Sequence, residues 1–358
     1  MKILSLFDGI GCARVALERA GIPVEAYYAS EIDKYAIQIA KKNYPDIYHL
    51  GDVRNILDID GLFFTERYGD IDLLIGGSPC QDLSIAKKDR KGLDGERSGL
   101  FWEYVRILKE VKPKYFILEN VNSMPKEAKE LITKTLGVEP IMINAALVSA
   151  QNRKRLFWVG KRVGLTVLEG QPYYEKVEIP QPEDRGILLK DILEGGYTPD
   201  EKTQHPITAS YFKAGQANFK EERNGHKRQG VYSDESVYQY RRTYWRETKG
   251  GKVPTLTANM GTGGNNVPYV AEPVALRNRG NGKKPEYNGS GKANSLTTVQ
   301  TDSMVDMPPI RKLSPIECER LQGLPDNYTE GVSNTQRYKA LGNAFNVDVV
   351  AHIIKHLL

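Results

Sequence analysis

Residues 76–84 read GGSPCQDLS, and they set a cysteine just after an apolar run, Ile71–Ile75. A thiol in that place can act as a nucleophile. Two glycines permit close backbone approach, and Pro79 stiffens the turn before Cys80. The stretch that follows, DLSIAKKDRKGLDGERSG, is long, polar and punctuated by glycine, the texture of a loop that covers a site. Sulfur under such a cover, at the tip of a strand, is a candidate for covalent catalysis. The competing reading is a small buried cysteine that only packs.

Cross-linking does not account for it. Cys12, Cys80 and Cys318 are odd in number and far apart, and their spacing suits neither a disulfide framework nor a metal site. A reducing, cytoplasmic setting fits, and no metal is expected. The N-terminal MKILSLFDGIGC is too short for a membrane span and lacks a signal-peptide cleavage site; it reads as a first strand. With 358 residues the chain has room for one large domain or two moderate ones. Its charge is uneven: residues 211–300 hold 15 Lys/Arg against 7 Asp/Glu, and the remainder holds 35 against 38. A basic zone in a slightly acidic protein suits a polyanion such as nucleic acid, or else a solvated, loop-rich face.

The elements that must position Cys80 alternate in type. KILSLF, EAYYAS, IYHL, IDLLIGG and YFILEN have the character of short buried strands. Between them ARVALERAG, DKYAIQIAKKNY with an Asp N-cap, LFWEYVRILKEV and PKEAKELITKTLG have helical spacing. Such alternation predicts a doubly wound α/β fold with a mostly parallel sheet, in which ligands bind at the carboxyl ends of strands. Residues 6–11, 30–33, 51–53, 76–84 and 119–121 all fall at such ends. From about residue 161 the texture turns rich in Pro, Gly, Tyr and Asn, and helical periodicity returns only near 311. A short theme recurs there, HPITA at 205, VPTLTA at 253 and NSLTT at 294. The organisation expected is therefore residues 1–160 as a catalytic and cofactor-binding domain, 161–310 as a smaller, irregular β-rich domain, and 311–358 as helices returning to the first.

Eight motifs in order make the sequence resemble the cytosine-C5 DNA methyltransferases over nearly its whole length. FDGIGC resembles that family's cofactor loop, SEID its ribose-binding acid, GDV its adenine-side loop and GGSPCQDLS its catalytic Pro-Cys loop. LENV, QNRKRLF, RKLSPIECERLQGLP and ALGNAFNV resemble the remaining four. Ser78, YYASE, GDVRNI and the KGL of the covering loop resemble the de novo type within the family.

The resemblance implies a Rossmann-like S-adenosylmethionine-dependent sheet plus a target-recognition domain. It also implies a reaction. Cytosine C5 is too weak a nucleophile to take a methyl group from a sulfonium until a thiolate adds at C6. Cys80 would make that bond, and Arg153 and Arg155, read as two apart on one strand and facing one way, would favour its thiolate. Glu119 would bond the N3 and N4 edge of the base, with a carboxyl whose proton is held near neutral pH by a desolvated pocket. Asn120 would fix the loop. On the cofactor side Phe7 would meet the adenine, Asp8 would belong to the same loop, and Gly9 and Gly11 would admit S-adenosylmethionine and its product S-adenosylhomocysteine. Glu31 would bond both ribose hydroxyls beside Ile32, and Asp52 would accept from the adenine amino group beside Val53. Pro79, Leu100, Asn343 and Phe345 would complete the pocket, which requires the last helices to fold back beside the N-terminus. Cys12 stands where the family usually has another glycine.

A thiol cannot reach a cytosine inside a duplex, so the base must be flipped out. The basic segment would then contact double-stranded DNA through Arg241, Arg242, Arg246 and Lys249 around Tyr244 and Trp245, with Thr255, Leu256 and Thr257 resembling the family's Thr-Leu element. The setting expected is bacterial or phage DNA protection within restriction-modification, with any cognate endonuclease acting independently. Two other readings stay open on sequence: a tRNA cytosine-C5 methyltransferase, and a catalytically inert DNA-binding relative.

Overall fold

Alternation of side chains explains the central strands. Ile3, Leu73, Ile75, Tyr115 and Ile117 belong to one apolar core, and Leu4, Leu74, Phe116 and Leu118 to a second. Successive residues of a strand point to opposite faces, so strands apolar on both faces must be covered on both by helices. The structure is a computed structural model that describes residues 1–56, 64–78, 100–165, 172–194, 237–241, 244–248, 253–254, 269–271, 274–278, 283–287 and 310–357.

Five parallel strands form the spine: β1 (Lys2–Leu6), β2 (Ala26–Ser30), β3 (Tyr48–Gly51), β4 (Leu73–Gly77) and β5 (Tyr115–Val121). β6 (Ile141–Asn144), β8 (Lys154–Leu165) and β9 (Pro172–Lys176) extend it antiparallel, while the short β7 (Gln151–Asn152) lies off it. The order is β3-β2-β1-β4-β5-β8-β6, with β9 on β8, an eight-stranded sheet. The doubly wound expectation is met, and the sheet runs on past residue 160 through the rest of β8 and β9. The first core is covered by α1 (Cys12–Arg19) and α2 (Lys34–Asn43), the second by α3 (Phe64–Tyr68), α4 (Leu100–Val111) and α5 (Lys126–Leu136). Asp33 caps α2 as expected, its carboxylate accepting from the Tyr35 and Ala36 amides. In α4, Phe101, Tyr104, Val105, Leu108 and Val111 are buried, one helical stripe.

Strand order reverses between β1 and β4, because β2 and β3 lie on one side of β1 and β4 and β5 on the other. That is the switch point where an open α/β sheet leaves a crevice for a ligand. The loops that follow β1 and β4 begin at Phe7 and Ser78. One detail corrects the sequence reading. β4 starts at Leu73 rather than Ile71, and it runs through both glycines, as the segment IDLLIGG suggests. Gly76 pairs with Leu6 and Leu118, and Gly77 with Glu119. A Cβ on Gly76 would lie 2.9 Å from the Leu6 carbonyl oxygen, so only glycine keeps that ladder tight.

The chain's end returns to its beginning. α6 (Pro315–Leu321), α7 (Asn334–Asn343) and α8 (Val347–Leu357) join the first core, and α8 lies against α1. The Tyr328 hydroxyl donates to Ile10 O at 2.7 Å, Lys339 pairs with Asp33 at 2.5 Å and Arg19 with Asp348 at 3.0 Å. Buried Glu319 accepts from Arg337 at 2.8 Å and from Thr329.

Between residues 237 and 312 the described backbone is all strand: β10 (Val237–Arg241), β11 (Tyr244–Thr248), β12 (Val253–Pro254), β13 (Tyr269–Ala271), β14 (Val274–Asn278), β15 (Lys283–Tyr287) and β16 (Ile310–Lys312). Four of them form a sheet in the order β11-β10-β13-β16, and β12 pairs in parallel with β7. Of the recurring theme only Val253–Pro254 lies among the described residues. No helix among them is long and apolar enough to cross a membrane.

Candidate active site

The loop after β1 is built around its backbone. Phe7 has φ of 55°, Gly9 of 63° and Gly11 of 80°. The left-handed region is costly for a residue with a Cβ, so Phe7 is held there by its surroundings. Asp8 does part of that work. Its amide donates to Ser30 O, and its Oδ1 accepts from the Ser5 and Tyr27 hydroxyls, each at 2.6 Å. Burial is the main reason its carboxyl is pushed up from 3.8 to about 6, against the pull of those two hydroxyls. The Asp8 side chain therefore faces the protein interior, and what this residue can offer a ligand is its backbone.

Glu31 closes the other side of the loop. Its Oε2 accepts from the Gly9 amide and its Oε1 from the Ile32 and Asp33 amides, all at 2.8 Å. A ligand with two hydroxyls would share these oxygens with the backbone. Ile32 is 71 % exposed, an apolar side chain left at the rim, and a Cβ on Gly9 would meet nothing within 4 Å among the described residues. Asp52, expected to accept from an amino group, is already engaged. Arg54 bonds both its oxygens and holds its carboxyl below the usual carboxylate range. Val53 is buried behind it, and Leu100 opens α4. Asn343 ends α7 with its side chain exposed, and Phe345 follows, half-buried. Phe345 packs against the core that contains buried Cys12. Burial pushes that thiol well above its ordinary range, so Cys12 is a packing residue.

On the β4 side, Pro79 and Cys80 lie outside the described residues, which stop at Ser78. Ser78 itself is buried and accepts from Asn120 Nδ2 at 3.1 Å, while Asn120 Oδ1 accepts from the Val121 amide. Asn120 thus anchors the start of the Pro-Cys loop to β5. Glu119 and Arg155 face one another across β5 and β8 as an ion pair of 2.8 Å, each about 15 % exposed. Together with Arg153, Phe345 and Asn346 they line one cleft. A Cβ on Gly77 would lie 2.9 Å from Phe345 Cε1 and 3.0 Å from Glu119 Oε2, so glycine lets the phenyl ring and the carboxylate meet at the strand.

The two arginines share that cleft but not a strand. Arg153 falls between β7 and β8, where its amide turns to Asn144 Oδ1 instead of the ladder. Its Nη2 donates to Ala344 O at 2.8 Å and Gly342 O at 3.4 Å. Among the residues assigned to DNA contact, Arg242, Lys249, Thr255 and Thr257 lie outside the described residues, and Arg241 and Arg246 are described by backbone alone, paired with Tyr244 and Gln239. Sequence reasoning missed Asn346. It caps α8 through the Val349 amide and donates to Leu321 O, and an Asn just before an apolar helical run was its signal.

The family model for the C-5 cytosine-specific DNA methylases matches residues 1–358. Among the relatives similar over the full chain are two of bacterial and phage origin. The type II methyltransferase M.Bsp6I of Bacillus sp. strain RFL6 is 29 % identical, with 98 % of its own length covered. The orphan methyltransferase M.SPRI of Bacillus phage SPR is 27 % identical, with 97 % covered. In fold the chain is similar to the crystal structure of the S. pombe Dnmt2 methyltransferase, at a TM-score of 0.56 and 17 % identity over 100 % of this chain and 98 % of that one. With its glycine-lined switch point and a family match along all 358 residues, the chain belongs to the C-5 cytosine-specific DNA methylase family and is a DNA cytosine-C5 methyltransferase.

Proposed function

We propose that Cys80 is the nucleophile, adding through its sulfur to C6 of a cytosine swung out of double-stranded DNA. The observation that carries this reading is the convergence at one sheet edge. The Ser78–Asn120 anchor stands two residues before Cys80 in sequence, and Glu119, Arg155 and Phe345 line a cleft that Gly77, just before Ser78, borders. Glu119 would take the N3 and N4 edge of the base. Arg155, already paired with that carboxylate, would hold it in place and complete the polar wall. Addition at C6 makes C5 an enamine-like carbon. After C5 gains its methyl group it loses its proton, and expulsion of the Cys80 thiolate restores the aromatic ring.

The methyl donor we assign is S-adenosylmethionine, which supplies an electrophilic methyl group on a sulfonium. The residues fit it: an open approach over Gly9, a carboxylate at Glu31, an exposed Ile32 at the rim and the carboxylate of Asp52. Phe7, Asp8 through its backbone, Gly11, Val53, Pro79, Leu100, Asn343 and Phe345 would complete that pocket. The domain division proposed keeps residues 1–160, the continuation of the sheet through β9 and the C-terminal 311–358 as the catalytic body, and the rest of 161–310 as the target-recognition part. The excess of Lys/Arg in 211–300, including Arg241, Arg242, Arg246 and Lys249, is suited to phosphate contacts, with Thr255 and Thr257 nearby. Protection of bacterial or phage DNA is the role proposed, and an independent endonuclease is the companion that the type II relative suggests.

The test uses DNA carrying 5-fluorocytosine. Fluorine cannot leave as a proton does, so the full chain should form a covalent adduct in the presence of S-adenosylmethionine, and Cys80→Ser should not. DNA that is bound but never trapped by the parent protein would refute the assignment.

A further inference from the structure

Arg153 is 4 % exposed, and a guanidinium has five N–H donors and no acceptor, so its burial calls for oxygens. Two of those oxygens are distinctive. Gly342 O and Ala344 O belong to the end of α7, whose last residue is Asn343 and whose C-cap is Ala344. The final carbonyls of a helix lack intrahelical donors and carry partial negative charge, so a cation there is both cap and counter-charge. The other end of Arg153 is equally fixed. Its amide donates to Asn144 Oδ1 at 3.0 Å, and its carbonyl accepts from the Ala145 amide at 3.0 Å. The side chain therefore spans from the end of β6 to the end of α7. Immediately beyond lies Phe345, which packs against Gly77, lines the cleft with Glu119 and rests on the core that contains Cys12.

We propose that Arg153 is a positioning residue: by capping α7 it sets the segment Asn343–Phe345 and so couples the cofactor side of the switch point to the cleft that holds Glu119. This rests on the reading of Asn343 and Phe345 as cofactor-side residues. It gives the two arginines different work, Arg155 on the carboxylate and Arg153 on the helix end.

The test compares the full chain with Arg153→Lys and Arg153→Ala, with S-adenosylhomocysteine as the probe and no DNA present. Losing buried, charge-assisted hydrogen bonds of this kind weakens binding by about 10-fold or more in the alanine variant. The lysine variant should fall between, and millimolar guanidinium should restore part of the loss in Arg153→Ala. Amide exchange at Ala344 should quicken in both variants, and the acid limb of the methylation rate of Arg153→Lys should stay where the parent has it. Parent-like S-adenosylhomocysteine affinity together with an acid limb moved to higher pH would overturn the proposal, since Arg153 would then act on the thiol. An Arg153→Lys variant that does not fold would overturn it too, because the role assigned is local. If the parent itself fails to bind the probe, the cofactor reading is wrong, and exchange at Ala344 still decides the cap: faster supports it, unchanged refutes it.

Discussion

Replacing Asp8 with asparagine isolates the effect of one buried charge beneath the loop that follows β1. Asp8 is 5 % exposed, and its carboxyl is raised from 3.8 to about 6, chiefly by burial. The native state therefore binds a proton more tightly than the unfolded chain does. Stability from this group is fully present below about pH 4 and is lost as pH rises through about 6. At about 1.36 kcal/mol per tenfold in proton affinity, the rise corresponds to roughly 3 kcal/mol in all, and about half of it falls between pH 5 and pH 8. In Asp8→Asn the side-chain oxygen would still accept from Ser5 and Tyr27, while the new amide nitrogen would take the place of Oδ2, which meets no hydrogen-bond donor among the described residues. That unpaired amide adds a penalty that does not vary with pH. The difference between the two pH values is therefore the clean readout. Urea unfolding of the parent and of Asp8→Asn at pH 5 and pH 8 should give a gap that moves in the variant's favour by about 1.5 kcal/mol at the higher pH. Two parallel stability curves would refute the claim that a charge is carried under this loop.

Gly76→Ala would push a Cβ to 2.9 Å from the Leu6 carbonyl and 3.3 Å from Tyr104, so thermal melting should show a loss of about 1–3 kcal/mol; an unchanged Tm would mean the strands can part without cost. Arg337→Met would leave fully buried Glu319 without its cation, at about 3–5 kcal/mol in urea unfolding, most of which the double variant with Glu319→Leu should recover. Recovery of none of it would point to lost packing instead of stranded charge. Asn120→Ala would free Ser78 from β5, and kcat should fall while S-adenosylhomocysteine affinity holds; the opposite pattern would place Asn120 on the cofactor side.

What the sequence made legible were the features fixed by neighbours along the chain. The Asp33 cap, the bounds of α4 and the apolar alternation of β1 and β5 each follow from a few adjacent residues. Glycines before Cys80 pointed to close approach, but whether they sit in a strand or beyond it depends on Leu6 and Glu119, which arrive from elsewhere. Arg153 and Arg155 have strand spacing, yet an acceptor on Asn144 draws the first out of the ladder. The inward turn of Asp8 depends on Tyr27, and no motif spacing records that. The cap on α7 joins residues 189 and 191 positions apart, beyond the reach of any local pattern.

Because α8 lies against α1, the core that holds Ile3 and Ile75 is completed by residues 347–357, laid over the helix that covers the sheet. During synthesis α1 and the strands leave the ribosome well before those residues do. A polypeptide stalled before Val347 leaves the side of α1 that meets α8 uncovered, the kind of surface on which chaperones and aggregates both act. Closure of this core therefore draws on a helix of 11 residues made long after the elements it covers.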